Sequence, residues 1–380
     1  MRVVHVITGL GRGGAESTLL QLCSASHGSD WQHTVISLTD RGEMAAALEE
    51  AGISVIDLGM KSPLSAVPAT WRLRKILRDL DPDIVQTWMY HADLIGGLAS
   101  RLAGIRSLVW GIRSSVTDSR TIKQSTRALV RVCARLSGSV PARIVVCANA
   151  AAETHAQAGY RRDKMIVIQN GVDVARFTDV PAADAEQESL SAFSGDRPLL
   201  GMVARFTPQK DHRNLFGALK ILLEQGEPFQ CVLVGNSMDS ANHTLVRWIG
   251  EFGLDDHVVL MGPRNDLPNI MRTLDLHVLS SAVEGFPNVL AEAMACGTPC
   301  VSTDAGDAGN IVADTGWLVP KGDPGALAAA IGDALAERRE SPQVWQNRRG
   351  ACRTHIQEHF GLQRMIDTYA DVWRATAAGR

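Results

Sequence analysis

The 380-residue sequence is short of several things, and each shortage excludes a class of protein. It has seven cysteines, an odd number, and only Cys296 and Cys300 lie close together, both in apolar surroundings. No two pairs have zinc spacing, so neither a disulfide framework nor a zinc module is indicated; reduced, buried thiols of a cytosolic protein are. No apolar run approaches the length of a membrane span. The chain opens on RVVHVITGL, which reads as a strand and not as a secretory leader. Low-complexity repeats are absent. The net charge is only -3, and the basic stretches lack interleaved aromatics beyond Trp71, which speaks against nucleic acid as a partner. That small net charge hides an asymmetry. Residues 1–175 hold 20 Lys+Arg against 15 Asp+Glu, while the remainder holds 18 against 26.

What is present is an ordinary globular composition, 45% hydrophobic and 21% charged, on a chain long enough for two domains. Apolar, β-branched runs alternate with segments of helical spacing from end to end. In the first half the strands are RVVHVITGL, HTVISLTD, GISVIDLG, DIVQTW, RSLVWGIR, ARIVVCAN and KMIVIQNGV. In the second they are RPLLGMVARF, FQCVLVGN, VVLMGPRND, LDLHVLSS, PCVSTDAG and a short one in GWLVP. This is an α/β pattern, two doubly wound parallel sheets in succession. The boundaries read as 1–175, a linker at 176–197 rich in Ala, Asp, Glu and Ser, 198–358, and a final helical stretch at 359–380.

Ligands of such sheets sit beyond the carboxyl ends of strands. There the most informative stretch is EGFPNVLAE, Glu284 to Glu292. It follows an apolar strand. Gly285 and Pro287 break the chain, Pro287 suits a first helical position, and the helix runs on to Gly297. A helix N-terminus reached through a tight loop is a ready anion site. Glu284 and Glu292 flank it and could accept hydrogen bonds from ligand hydroxyls. Arg205 ends the strand RPLLGMVARF and Lys210 lies in the loop that follows, where two cations could neutralise a diphosphate.

Gly9, Gly11 and Gly14 fit GxGxxG, and Asp40 ends the next strand, so a dinucleotide site is one reading of the first half. The other is that Gly13 and Gly14 let backbone approach a ligand bound elsewhere. His91, Arg113 and Asn170 also fall past strand ends. The DPD of Asp81 and Asp83 precedes a strand and is turn chemistry, so no metal is assigned to it. A helix expected at 119–137 carries Lys123, Arg127, Arg131 and Arg135 at i, i+4 spacing. It reads either as a solvated charged face or as a basic helix on anionic lipid. Arg72, Arg74, Lys75 and Arg78 in WRLRKILRDL add to the second option.

GGAE (13–16), NGVD (170–173), VARFTPQKD (203–211) and EGFPNVLAE (284–292), in this order, resemble glycosyltransferase family 4 over nearly the whole chain. TWMYHADL (87–94) is similar to the versions in bacterial polysaccharide and lipid-linked oligosaccharide enzymes. The resemblance implies the GT-B architecture, two Rossmann-like domains facing across a cleft, and retaining transfer from a nucleotide sugar, by family habit a UDP-sugar. It implies no cofactor and no metal, and a glycan or lipid-linked glycan as acceptor at the cytoplasmic face of a membrane. By the same resemblance Arg205 and Lys210 hold the donor diphosphate, with the backbone of Asn288, Val289 and Leu290. Glu292 holds the ribose and Glu284 the donor sugar, within the loop Gly285, Phe286 and Pro287. Gly235 belongs to the donor site, Arg264 lies where the base is contacted, and the last helix crosses back to the first domain. His91 stands at the reacting centre, with Arg113 and Asn170 on the acceptor side. An epimerase or phosphorylase of the same architecture, and a non-catalytic interaction module, are the alternatives. A hydride-transfer enzyme has no need of the cations and glutamates of the second half.

Overall fold

The computed structural model describes residues 1–11, 13–28, 30–114, 124–178 and 197–379. They form two units: Met1–Gly171 with Leu362–Arg380, and Val172–Gly361.

The first unit is built on β1 (Arg2–Ile7), β2 (Gln32–Ser37), β3 (Ser54–Asp57), β4 (Ile84–Trp88), β5 (Leu108–Ile112), β6 (Arg143–Val146) and β7 (Met165–Val167). Their order is β3-β2-β1-β4-β5-β6-β7, and every pairing is parallel. Parallel neighbours require crossover connections, and helices on both faces bury the strands, which is why β4 and β5 are buried at every residue. The order reverses between β1 and β4. The helices Gly14–Ser26 and Tyr90–Leu102 begin at that switch point.

The last helix, Leu362–Ala378, belongs to this unit. Tyr369 and Trp373 are fully buried on it. Trp373 packs edge-on against Trp31, with ring centroids 5.2 Å apart, and its indole Nε1–H donates to Gln86 Oε1 at 3.2 Å. Tyr369 stacks on Trp88 at 6.0 Å. The core on this face of the sheet is therefore closed by residues distant in sequence.

The second unit repeats the plan with β8 (Leu199–Val203), β9 (Gln230–Val234), β10 (Val258–Gly262), β11 (Leu276–Leu279), β12 (Cys300–Thr303) and β13 (Trp317–Val319). The order is β10-β9-β8-β11-β12-β13, again all parallel, with its switch point between β8 and β11. Residues 176–178, expected to open the linker, instead lie in the helix Val174–Thr178. Phe177 is buried there and its carbonyl accepts from Arg272 at 3.2 Å, so an apolar anchor outweighs the loop-like composition that follows it.

The basic helix is described over Gln124–Leu136, so Lys123 lies outside the described residues. All seven cysteines are free and buried. Among the described residues no helix is long and apolar enough to cross a membrane.

Candidate functional site

In the second unit, the loops that follow β8 and β11 are laced together. Ala282 N–H donates to Gln209 O at 2.8 Å, and Ser280 Oγ donates to Lys210 O at 2.9 Å. This brings Lys210 onto Glu284: Nζ to Oε1 is 2.5 Å, with the two side chains only 17% and 12% exposed. Ser281 Oγ donates to the same oxygen at 2.6 Å. Thr303 Oγ1, at the end of β12, donates to Ser281 O at 2.6 Å and so braces the loop from the neighbouring strand. The carboxylate is thus held on two sides, and Lys210 keeps two of its three ammonium hydrogens for other acceptors.

Two glycines make the close approach possible. Gly306 has φ +63°, and a Cβ there would lie 2.3 Å from Gly285 O; next to it, Asp307 N–H donates to that oxygen at 2.9 Å. Gly235 has φ +138°, and a Cβ would lie 2.0 Å from Ala204 O, beside Arg205.

Pro287 is the cap of the helix Asn288–Ala295 rather than its first residue, with φ -75° and ψ 89°. No side chain caps that N-terminus. Phe286 is buried with its ring 5.6 Å from that of Phe360, which fixes the loop ahead of Asn288, Val289 and Leu290. Glu292, on the same helix, is partly buried. Desolvation raises its pKa to about 7, against a weaker pull from Arg176.

His277 and His212 are buried beside Lys210. Desolvation first, and the Lys210 charge second, push them down to about 3 and about 4. Both are neutral at pH 7, so the nearby positive charge is that of Lys210. Arg205 is exposed. The guanidinium of Arg264 is held in a two-point pair by Asp266, at 2.8 and 2.6 Å. The structure therefore brings Lys210 and Glu284 into contact and sets Arg264 in a fixed fork.

In the first unit, Gly13 is the extended cap of the helix Gly14–Ser26, and a Cβ on it would lie 2.4 Å from Glu16 Oε2. His91 lies in the first turn of Tyr90–Leu102, exposed, with its pKa lowered by partial burial. The residue that delivers it, Met89, has φ 72° and ψ 158°. That region is essentially reserved for glycine and costs about 1–3 kcal/mol for other residues. The strain is held by hydrogen bonds: Met89 N–H donates to Gly111 O at 2.8 Å, and Met89 O accepts from Asp93 N–H at 2.9 Å. Asp93 is fully buried. Its Oδ1 accepts from Thr87 Oγ1 at 2.5 Å and from Gly111 N–H at 3.1 Å. Burial raises its pKa to about 8 despite those two bonds. Sequence reasoning missed both Met89 and Asp93; a positive φ at methionine leaves no mark in composition or periodicity.

Arg113 and Asn170 are brought together. Arg113 Nη2 donates to Asn170 Oδ1, Nη1 donates to Tyr369 Oη at 3.2 Å, and the guanidinium lies 5.1 Å from the Trp88 ring centroid. Arg113 thereby links Asn170 to Tyr369 on the last helix. The basic stripe is not uniform. Arg131 and Arg135 are exposed, but Arg127 is partly buried and its Nε is enclosed without a partner.

His5, Cys23 and His33 place three ligand atoms within 4.8 Å of one another in the core. The ring nitrogens of the two histidines are already committed. Trp88 Nε1–H donates to His5 Nδ1 at 3.1 Å, leaving His5 Nε2–H to donate to His33 Nδ1 at 3.0 Å. His33 Nε2–H then donates to Ser26 Oγ at 2.9 Å. This chain fits a satisfied polar network and not a metal centre.

Two Rossmann-like parallel sheets, the second with the Lys210–Glu284 pair at its switch point, are the two halves of the GT-B architecture, and the comparisons agree. Residues 12–176 match the description Glycosyltransferase Family 4, and residues 184–349 match Glycosyl transferases group 1. The chain is 30% identical over 315 residues to EpsF of Bacillus subtilis (strain 168), which carries the name of a glycosyltransferase, with 80% of this chain and 79% of EpsF covered. It is 25% identical over 305 residues to UDP-Gal:alpha-D-GlcNAc-diphosphoundecaprenol alpha-1,3-galactosyltransferase of Escherichia coli, covering 79% and 77%. The protein belongs to the family 4 glycosyltransferases. In fold it is similar to HepE of Anabaena, solved in complex with UDP and glucose, at TM-score 0.85 and 22% identity over 99% of this chain and 100% of that one.

Proposed function

We propose that this glycosyltransferase moves a sugar from a UDP-sugar to a hydroxyl of a glycan or lipid-linked glycan in the assembly of a bacterial surface polysaccharide, with retention at the anomeric carbon. The observation that carries the reading is the Lys210–Glu284 pair at the switch point of the second unit, in front of the uncapped helix Asn288–Ala295.

Breaking the glycosidic bond leaves negative charge on the diphosphate. Arg205, Lys210 and the backbone of Asn288, Val289 and Leu290 are assigned to it, where the charge develops. With that charge met by protein cations, the reading assigns no metal. Glu284, fixed by Lys210 and Ser281, takes the hydroxyls of the donor sugar, with Gly285, Phe286 and Pro287 shaping its loop. Glu292 takes the ribose hydroxyls, and Gly235 and Arg264 lie by the base. Gly13 and Gly14 offer backbone to the substrates. His91, delivered by the strained Met89, is assigned to the reacting centre, and Arg113 and Asn170 to shaping the acceptor side. Attack comes from the face that the diphosphate leaves, and the departing phosphate helps to take the acceptor proton. A diphosphoundecaprenol-linked acceptor is named for the Escherichia coli relative, and an acceptor of that kind brings the protein to a membrane surface peripherally.

Thermal stabilisation by UDP, GDP and ADP, with NAD as control, tests the donor. A nucleotide at a hundred times its dissociation constant stabilises by about 2.7 kcal/mol. UDP should do so in the native chain and not in Arg205→Ala with Lys210→Ala. Sugar turnover without any acceptor would favour epimerisation, and a covalent glycosyl adduct trapped on Glu284 would sink same-face attack.

A further inference from the structure

The first unit carries an apolar surface that the site described above does not use. Leu64, in the turn Pro63–Ser65, is 91% exposed. Val67 and Trp71, on the helix Ala66–Leu80, are 67% and 53% exposed. Val67, Trp71, Arg74 and Arg78 follow one another at i, i+4, i+7 and i+11, so they form one stripe, opposite the buried Ala69, Leu73 and Leu77. Arg74 lies 5.4 Å from the Trp71 ring centroid, and its Nε donates to Leu102 O at 2.9 Å. That bond joins the stripe to the neighbouring helix, on which Leu98 and Leu102 are also exposed.

We infer that this face, Leu64–Val67–Trp71 bordered by Arg74, Lys75 and Arg78, docks the protein on an anionic lipid bilayer. Large exposed side chains cluster at one end of the stripe and cations at the other. From Lys61 to Leu80 the charged residues are Lys61, Arg72, Arg74, Lys75, Arg78 and a single acid, Asp79. Tryptophan and leucine beside cations suit the headgroup boundary, where the indole lies at the interface and each cation meets anionic phosphates. The charge also speaks against a second copy of the chain. A two-fold interface places a patch against itself, so these cations would face one another. Leu64 and Val67 stand past the carboxyl end of β3 and His91 past that of β4, at the same end of the parallel sheet with β2 and β1 between them. A lipid-anchored acceptor at that surface would lie on the side of the reacting residue. This last link rests on the proposed glycosyl transfer; the bilayer contact does not.

Co-sedimentation of the full chain with vesicles tests it, comparing phosphatidylcholine alone with one third phosphatidylglycerol, at low and high salt. The native protein should pellet with the anionic vesicles and be released by salt. Leu64→Glu with Trp71→Glu should bind at least tenfold more weakly. Neutralising Lys75 and Arg78 should weaken binding by about fivefold each. Unchanged melting temperature, and unchanged stabilisation by UDP where the native chain shows it, would show the variants folded. The inference fails if the native chain ignores anionic vesicles, or if the variants bind equally. It fails also if only Arg131→Glu with Arg135→Glu abolishes binding, or if the variants instead remove a concentration-dependent dimer. Vesicle binding without UDP stabilisation would overturn the donor reading and leave this one standing.

Discussion

Lys210 and Glu284 are 74 positions apart in sequence and 2.5 Å apart in space. Neither is a surface ion-pair partner of small consequence, because both are mostly buried and each comes from a different loop of the switch point. The pair is poised: ligand phosphate would compete for the ammonium and ligand hydroxyls for the carboxylate.

Removing one partner should therefore cost twice. Lys210→Met leaves a carboxylate in low-dielectric surroundings, and breaking a buried pair costs up to about 3–5 kcal/mol, with partial exposure placing this one at the lower end. Chemical denaturation reads that loss. Turnover should fall by about 100-fold or more if Lys210 stabilises charge in the transition state. A variant with normal turnover would remove Lys210 from the donor site.

Glu292 gives a pH signature. Its folded pKa, about 7, lies above the ordinary 4.5, because burial disfavours the charged form. The folded protein thus holds a proton that the unfolded chain releases between those values. The contribution to stability is full below pH 4.5 and is lost as pH rises towards 7. Ribose hydroxyls prefer the ionised carboxylate, so donor binding at pH 6 should release protons. Calorimetry in buffers of different ionisation enthalpy measures this, and Glu292→Gln should abolish it.

The strained corner before His91 should trade stability against activity. Met89→Gly relieves a φ of 72° and should raise stability by about 1 kcal/mol. The same change loosens the turn that aims His91, so turnover should fall at least tenfold while UDP binding is kept. His91→Ala should lower turnover by about 100-fold or more. If Met89→Gly leaves turnover unchanged, the strain has no part in catalysis.

Asp93 lies beneath that corner. Its pKa of about 8, against an ordinary 3.8, makes its proton a stabilising one that is lost as pH rises between those values. Asp93→Asn keeps the acceptor for Thr87 and Gly111. It should flatten the stability profile up to pH 8, as thermal melts across pH would show.

Both sheets were legible because parallel strands covered on both faces read as near-continuous apolar runs, and β4 and β5 are extreme cases. The loop at Glu284 was legible because glycine, proline and paired carboxylates carry local meaning. The helix Val174–Thr178 was not, since its reason is Phe177 finding a tertiary home. Nor was the bond of Arg113 to Tyr369, which only the return of the last helix creates, or that of Arg113 to Asn170, which depends on the order of β5, β6 and β7 in the sheet. Met89 and Asp93 escaped for a similar reason. Backbone strain and a buried proton are properties of surroundings, not of residue type.

The helix Leu362–Ala378 has a consequence for the order in which the protein matures on the ribosome. The first 171 residues emerge with a place in their core that Tyr369 and Trp373 will fill. The segment Val172–Gly361 has its own core and can fold in between. The domain that is translated first is thus completed last, after the whole of the other has been made. Until then Trp31 and Trp88 lack the cover of Trp373 and Tyr369, the kind of waiting surface that chaperones recognise.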